Sequence, residues 1–191
     1  TRSRQVTGVQ TCALPILGVL RSIPNMVIFE PVDNNQLKNI LPQIIDYKGP
    51  VYIRMFRKST PDIFKEDEKF NLFSAKTIKE GTDVSIFCSG IMVAETLEAN
   101  KILEEKGINA EIINIHTIKP IDEESVINSV HKTGAVVTVE NHNIMGGLRS
   151  AVAEVLSENC PAPLRSVGIR DSFGQVGKMS YLKESFRLFS T

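Results

Sequence analysis

The sequence predicts an α/β protein on a mainly parallel sheet, and three observations carry that prediction. From about residue 74 onward, short β-branched runs alternate with amphipathic segments. That is the pattern of a sheet covered by helices on both faces, a three-layer αβα unit. The stretch Val136–Leu156, VVTVENHNIMGGLRSAVAEVL, opens on Val136, Val137, Thr138 and Val139 and closes on Leu148, Val152, Val155 and Leu156 at helical spacing, which reads as strand, polar loop and helix. The composition, 42% hydrophobic and 23% charged over 191 residues, is that of an ordinary globular chain.

The elements follow in order. Residues 1–16, TRSRQVTGVQTCALPI, have no strand or helix period. They resemble translated sequencing-adapter sequence and are set aside as a non-native or artefactual leader. Residues 17–60 read as strand, helix, strand. Met26–Phe29 follows the turn signal Pro24-Asn25. Asp33 or Asn34 caps a helix to about Ile45, with Leu37, Ile40, Leu41, Ile44 and Ile45 expected on its inner face. Pro42 predicts a kink or an early end. Gly49-Pro50 then gives way to a strand over Val51–Phe56. This unit is too small to fold alone, so its sheet partners are expected upstream. Arg54 lies within the second strand and needs an acidic partner if buried. Residues 61–73, with Pro61 and the charged run Lys65–Lys69, read as a linker across the surface.

Residues 74–191 then lay out a complete domain. Val84–Cys88 is a strand, and Ser89-Gly90 turns into a helix over Met92–Glu105 that Gly107 stops. Ala110–Ile115 is the next strand, followed by His116, Thr117, Ile118, Lys119 and Pro120. Asp122 caps a helix to about Lys132, with Glu123 and Glu124 in the first turn, where the helix dipole favours them. After Val136–Leu156 come a strand at Leu164–Ile169 and a helix at Tyr181–Leu188.

Charge and cysteine usage narrow the function classes. Lys and Arg total 22 against 22 Asp and Glu, so no overall basic field exists to hold nucleic acid or an anionic membrane. No apolar run is long enough to span a bilayer. Cys12, Cys88 and Cys160 are odd in number and scattered, which suits reduced thiols in a cytoplasm better than disulfides or a zinc site.

Candidate site residues gather at two places. In α/β proteins ligands sit at the carboxyl ends of the strands, where Glu140, Asn141, His142 and Asn143 and then Gly146 and Gly147 fall. Paired glycines allow close backbone approach. The stretch is neither a G-x-G-x-x-G fingerprint nor a Walker loop. A tight packing turn and a ligand contact both fit. Arg57 and Lys58 fall just past the second strand, where an arginine can present a planar fork of donors to a phosphate; a solvated loop is the plainer alternative. His116 and His142 are acid–base residues by type.

Five ordered segments carry a resemblance. RSIPNMVIFEPVD, GPVYIRMFRKS, INIHTIKPID, VENHNIMGGL and FGQVGK occur in the order and spacing of the C-terminal half of transketolase. The sequence most resembles the split form, in which that half is a separate subunit. The resemblance runs from about Leu17 to the end. It implies that residues 17–60 are the tail of a thiamine-diphosphate pyrimidine-binding domain and residues 74–191 the family's C-terminal domain. It implies a fragment shortened at its N-terminus and inactive alone. The intact cytoplasmic enzyme would be a homodimer or a heterotetramer with an N-terminal subunit or domain. That enzyme would use thiamine diphosphate and a divalent metal such as Mg to move a two-carbon ketol unit between sugar phosphates. Arg57 matches the family arginine that holds the sugar phosphate. No catalytic residue and no metal ligand is implied within this chain, and His116 and His142, with Gly146 and Gly147, are left to loop hydrogen bonding or interface contact. Deoxyxylulose-phosphate synthase, a 2-oxoacid dehydrogenase beta subunit and a non-catalytic assembly module are the alternatives.

Overall fold

A computed structural model describes residues 16–56 and 60–171. Five strands form the larger sheet: β3 (Lys76–Lys79), β4 (Val84–Cys88), β5 (Ala110–Asn114), β7 (Val136–Asn143) and β8 (Leu164–Ile169), in the order β3-β5-β4-β7-β8. All neighbours are parallel except β3, which runs antiparallel to β5 at the edge. Side-chain alternation divides the core. Ile86, Cys88 and Ile112 face α3 (Met92–Glu105), while Phe87, Ile113 and Val136 face α4 (Glu123–Thr133) and α5 (Leu148–Asn159). The fold is therefore the three-layer α/β arrangement that the alternation predicts.

The ends of these helices have local causes. The Asp122 Oδ1 accepts from Ser125 N at 3.0 Å and opens α4, and Gly134 closes it in the left-handed region at φ 71°. Gly107, at φ 76°, follows α3.

A smaller sheet lies beside the first. It holds β1 (Val27–Phe29) and β2 (Val51–Ile53), parallel and joined by α2 (Asn34–Asp46). Its third strand among the described residues is β6 (Thr117–Lys119), from the segment after β5, which pairs antiparallel with β1, and Glu30 N donates to His116 O at 2.7 Å. Ile118 of β6 is buried with Leu17, Ile28 and Ala151, so the smaller sheet packs against α5. Leu17 belongs to α1 (Ile16–Arg21), a helix the sequence pattern did not suggest.

The helix α2 departs from its expectation in two ways. It runs through Pro42 to Asp46; the ring sits late in the helix, where the missing N–H costs one bond and does not end the element. Its buried side is Leu37, Ile40 and Ile44, while Leu41 is 40% and Ile45 71% exposed. The rest of the inward face is polar. Asn35, Asn39 and Gln43 recur every four residues and so form one stripe. Residues 61–73, expected to cross the surface as a linker, lie along that stripe. Asn35 Nδ2 donates to Phe64 O at 2.8 Å, Asn39 Oδ1 accepts from Phe70 N at 3.1 Å, and Gln43 accepts from Leu72 N at 2.9 Å and donates to Phe70 O at 2.8 Å. Phe64 and Leu72 are buried beneath.

Asp33 fastens the start of this strap. It is buried, its Oδ1 caps α2 through Gln36 N at 2.8 Å, and its Oδ2 accepts from Ile63 N and Phe64 N, each at 2.8 Å. Asp33→Ala removes the cap and leaves two strap amides without acceptors. The expected loss in urea unfolding is about 2 kcal/mol, since a cap and a buried bond are each worth roughly 1 kcal/mol. A loss no larger than a surface substitution gives would show that water replaces the carboxylate.

Candidate functional site

In the larger sheet the strand order reverses at β4, which has β5 on one side and β7 on the other. Open α/β sheets form their ligand crevice at such a point, outside the carboxyl ends of the strands. Here the polar residues converge at that point, and two of them come from the smaller sheet. Glu30 lies just past β1 and Arg54 just past β2. They form an ion pair with side chains 4% and 21% exposed. Ser89, after β4, donates its hydroxyl to Glu30 Oε2 at 2.9 Å. The second arm of Arg54, Nη2, donates to Asn141 O on β7 at 2.7 Å, and its backbone N donates to Phe29 O at 2.8 Å. The acidic partner that Arg54 requires is thus Glu30, and the crevice is filled by the protein's own side chains.

The end of β7 differs from the sequence reading. Glu140–Asn143, expected as a loop, continue the strand, because their polar groups find partners inside. Glu140 is fully buried and reaches the start of α5, where Leu148 N donates to Oε2 at 2.7 Å and Arg149 N to Oε1 at 2.9 Å. The helix needs this borrowed carboxylate because its own cap position is Gly147, which has no side chain to offer. Burial pushes Glu140 up to about 7, with the Glu30 charge adding to the rise, while the two helix N–H groups and Arg54 hold it back.

Gly146 and Gly147 serve this packing. Gly146 sits at φ 79° with its backbone against Gly18, where an added Cβ would come within 2.5 Å of Gly18 Cα. A Cβ on Gly147 would stand 1.9 Å from Glu140 Oε2. His142 is buried in the strand. Its Nδ1 lies 2.8 Å from Asn143 O and its Nε2 accepts from Leu17 N at 3.3 Å, so both ring nitrogens are engaged. His116 lies elsewhere, under the strap: its Nε2 is 3.0 Å from Asn71 O, and its ring meets Phe29 and Phe70 edge-on. Burial lowers each histidine to about 4, so both are neutral at pH 7. Arg57 and Lys58, together with FGQVGK and the helix expected at Tyr181–Leu188, lie outside the described residues. Among the described residues no three of His, Cys, Asp or Glu converge to hold a metal ion. Glu30 and Glu140 already carry internal partners, so these residues do not fit a metal diphosphate.

These shifts make stability depend on pH. The histidines, lowered to about 4, contribute stability above their unfolded value near 6.5 that is lost as pH falls toward 4. Glu140, raised to about 7, acts oppositely: its stability is present below its unfolded value near 4.5 and lost as pH rises through 7. Between about pH 6.5 and 4.5 two histidines oppose one carboxyl, so the unfolded chain binds roughly one more proton. Stability should fall by about 1.4 kcal/mol per pH unit on acidification through that window. Urea unfolding at pH 7 and pH 5 measures it, and a more stable protein at pH 5 would contradict it.

With this geometry established, comparison with known proteins supplies the family. The model of the transketolase C-terminal domain matches residues 74–189. The 6-deoxy-6-sulfo-D-fructose transketolase subunit of Clostridium sp. (strain MSTE9) is 50% identical over 184 residues, 96% of this chain and 57% of that protein. An apulose-4-phosphate transketolase subunit of Phocaeicola vulgatus is 40% identical over 156 residues, 81% of this chain and 50% of its own length. A solved structure described as a split gene transketolase, an inactive beta4 tetramer, superposes with a TM-score of 0.87 at 43% identity, covering 93% of this chain and 57% of that one. The chain belongs to the transketolase family. It spans about half the length of the curated relatives it matches. No helix among the described residues is long and apolar enough to cross a membrane.

Glu30 and Ser89 are the site residues that sequence reasoning did not single out. One signal was present: each is a polar residue directly after a buried apolar strand run, VIF and VSIFC. A polar residue there ends the strand or enters the crevice, and hydropathy does not separate the two.

Proposed function

We propose that this chain is the C-terminal portion of a cytoplasmic, thiamine-diphosphate-dependent transketolase that moves a two-carbon ketol unit between sugar phosphates. An N-terminal subunit or domain completes the enzyme, as a homodimer or a heterotetramer, and supplies the residues for the cofactor and its divalent metal. The observation that carries this reading is the likeness to a transketolase subunit along 96% of the chain. The solved neighbour's description as an inactive beta4 tetramer supports the expectation that the chain is inert without that partner.

Arg57 is proposed to hold the anionic end of the sugar. The names of the two relatives carry a sulfo group in one case and a phosphate in the other, and a guanidinium fork can serve either anion. The test is a ketol-transfer assay on the intact enzyme. Arg57→Ala should raise KM for phosphorylated acceptors about tenfold to a hundredfold, the worth of a charge-assisted contact of roughly 1.5–3 kcal/mol, and leave unphosphorylated acceptors nearly unchanged. Equal losses on both kinds of substrate would mean that Arg57 pairs internally.

A further inference from the structure

Three side chains beneath the strap are buried with polar atoms that have no hydrogen-bond partner among the described residues. Asn114, the last residue of β5, is fully buried, and both its Oδ1 and its Nδ2 lack a partner. Gln36 of α2 is also fully buried; its Oε1 accepts from Val32 N at 2.9 Å, but its Nε2 has no acceptor. His116 is 1% exposed, and its Nδ1 has no donor. All three stand on one side of the larger sheet. Ile113 and Ile115 belong to the core beneath α4 and α5, so alternation turns Asn114 and His116 to the α3 side. There Cys88, the register partner of Asn114, packs with Val32, Phe64 and Met92. The His116 ring meets Phe70, which packs on the same cluster. Gln36 joins that cluster through its bond to Val32.

We propose that this place is a binding site for internal water, which bridges the Asn114 amide to His116 Nδ1 and takes the Gln36 amide as a further donor. Residues two apart on a strand stand ~6.6 Å apart, and two hydrogen bonds through one water span about 5.6 Å between the atoms they join. The chemistry of the three side chains selects water over other ligands. His116 Nε2 lies 3.0 Å from Asn71 O. A carbonyl only accepts, so the ring proton sits on Nε2 and Nδ1 presents a lone pair. Val32 N fixes the Gln36 amide with its oxygen engaged, which leaves the donor end. Asn114 offers one donor end and one acceptor end, whichever way its amide is turned. The set therefore holds two amide donors and two acceptors without net charge. A cation would meet the amide N–H groups, an anion would meet the lone pairs, and an apolar group would satisfy neither. Water donates two bonds and accepts two, and buried water usually makes about three. Such a water joins three elements: β5 through Asn114, α2 through Gln36, and the strap through His116, which holds Asn71 O.

Two measurements on the chain test this. A crystal structure at a resolution that shows ordered water should place a water peak within hydrogen-bond distance of both the Asn114 amide and His116 Nδ1. A direct bond between those two residues, another side chain in that place, or an apolar gap overturns the proposal. Thermal unfolding of Asn114→Leu, His116→Phe and the double variant gives the second reading. Leucine has nearly the shape of asparagine and lacks its amide. With water bound, Asn114→Leu strips a partner from the water and should lower the midpoint by roughly 5 °C. The double variant should then lose less than the sum of the two, because both substitutions remove groups on one water. If the Asn114 amide instead has no partner, Asn114→Leu removes an unpaired polar group and raises the midpoint. A raised or unchanged midpoint overturns the proposal, and so does strict additivity. Should Asn114→Leu fail to fold, the water peak in the wild type decides alone.

Discussion

Arg54→Met is expected to lower the thermal midpoint of the chain by about 10–15 °C, the shift that roughly 3–5 kcal/mol produces in a domain of this size. The cause is what the substitution leaves behind. Glu30 would keep its burial and the Ser89 hydroxyl but lose its countercharge, and Asn141 O would lose a donor. An uncompensated buried carboxylate is far more costly than the intact pair is favourable. The double variant Glu30→Met/Arg54→Met should therefore be more stable than Arg54→Met alone, because two apolar side chains can pack where one charge cannot. Thermal unfolding of both variants decides it. A double variant less stable than either single one would mean that the two residues act through separate contacts.

Gly147→Ala is expected to cost about 2–4 kcal/mol, although its backbone is ordinary at φ −88°. The cost is steric. The new methyl would stand 1.9 Å from Glu140 Oε2 and 2.7 Å from Asn143 O. That carboxylate cannot step aside freely, since both its oxygens accept from the first turn of α5. Turning it away leaves the Leu148 and Arg149 N–H groups without acceptors. A double-mutant cycle separates this cause from a general helix effect. In a Glu140→Ala background the glycine substitution should lose much of its cost in urea unfolding. Full additivity would mean that the methyl clashes elsewhere.

Much of the larger sheet was legible because its signals are local. Val84–Cys88, Met92–Glu105 and Leu164–Ile169 fall where expected, residue for residue. Each is an apolar run or periodic segment bounded by turn residues. β3 was missed because KTIK is polar, carries one apolar side chain and lies at an edge. β6 was missed because three residues carry no period, and its reason to be extended is β1, which lies far away in sequence. The polar end of β7 was misread for the same cause. Glu140 and His142 are buried because α5 and α1 supply partners, and no hydropathy pattern contains those partners. At the site, the need of Arg54 for an acid could be read from a cation in an apolar strand. Which acid, and that the pair would sit in another sheet's crevice, follows from packing. The amide stripe Asn35, Asn39, Gln43 was visible in the sequence as a spacing of four, but only the strap gives it a purpose.

The late origin of β6 has a consequence for how the chain is made. β1 leaves the ribosome long before the strand that completes its pairing, since ~60 residues separate β2 from β6, an interval of roughly 3–12 s at ordinary rates of synthesis. Through that interval one edge of β1 has no partner from its own sequence. Ser89 arrives before β6 and Asn141 after it, so the contacts of Glu30 and Arg54 are complete only after β6 is made. During synthesis β1 therefore waits on a strand made well after it.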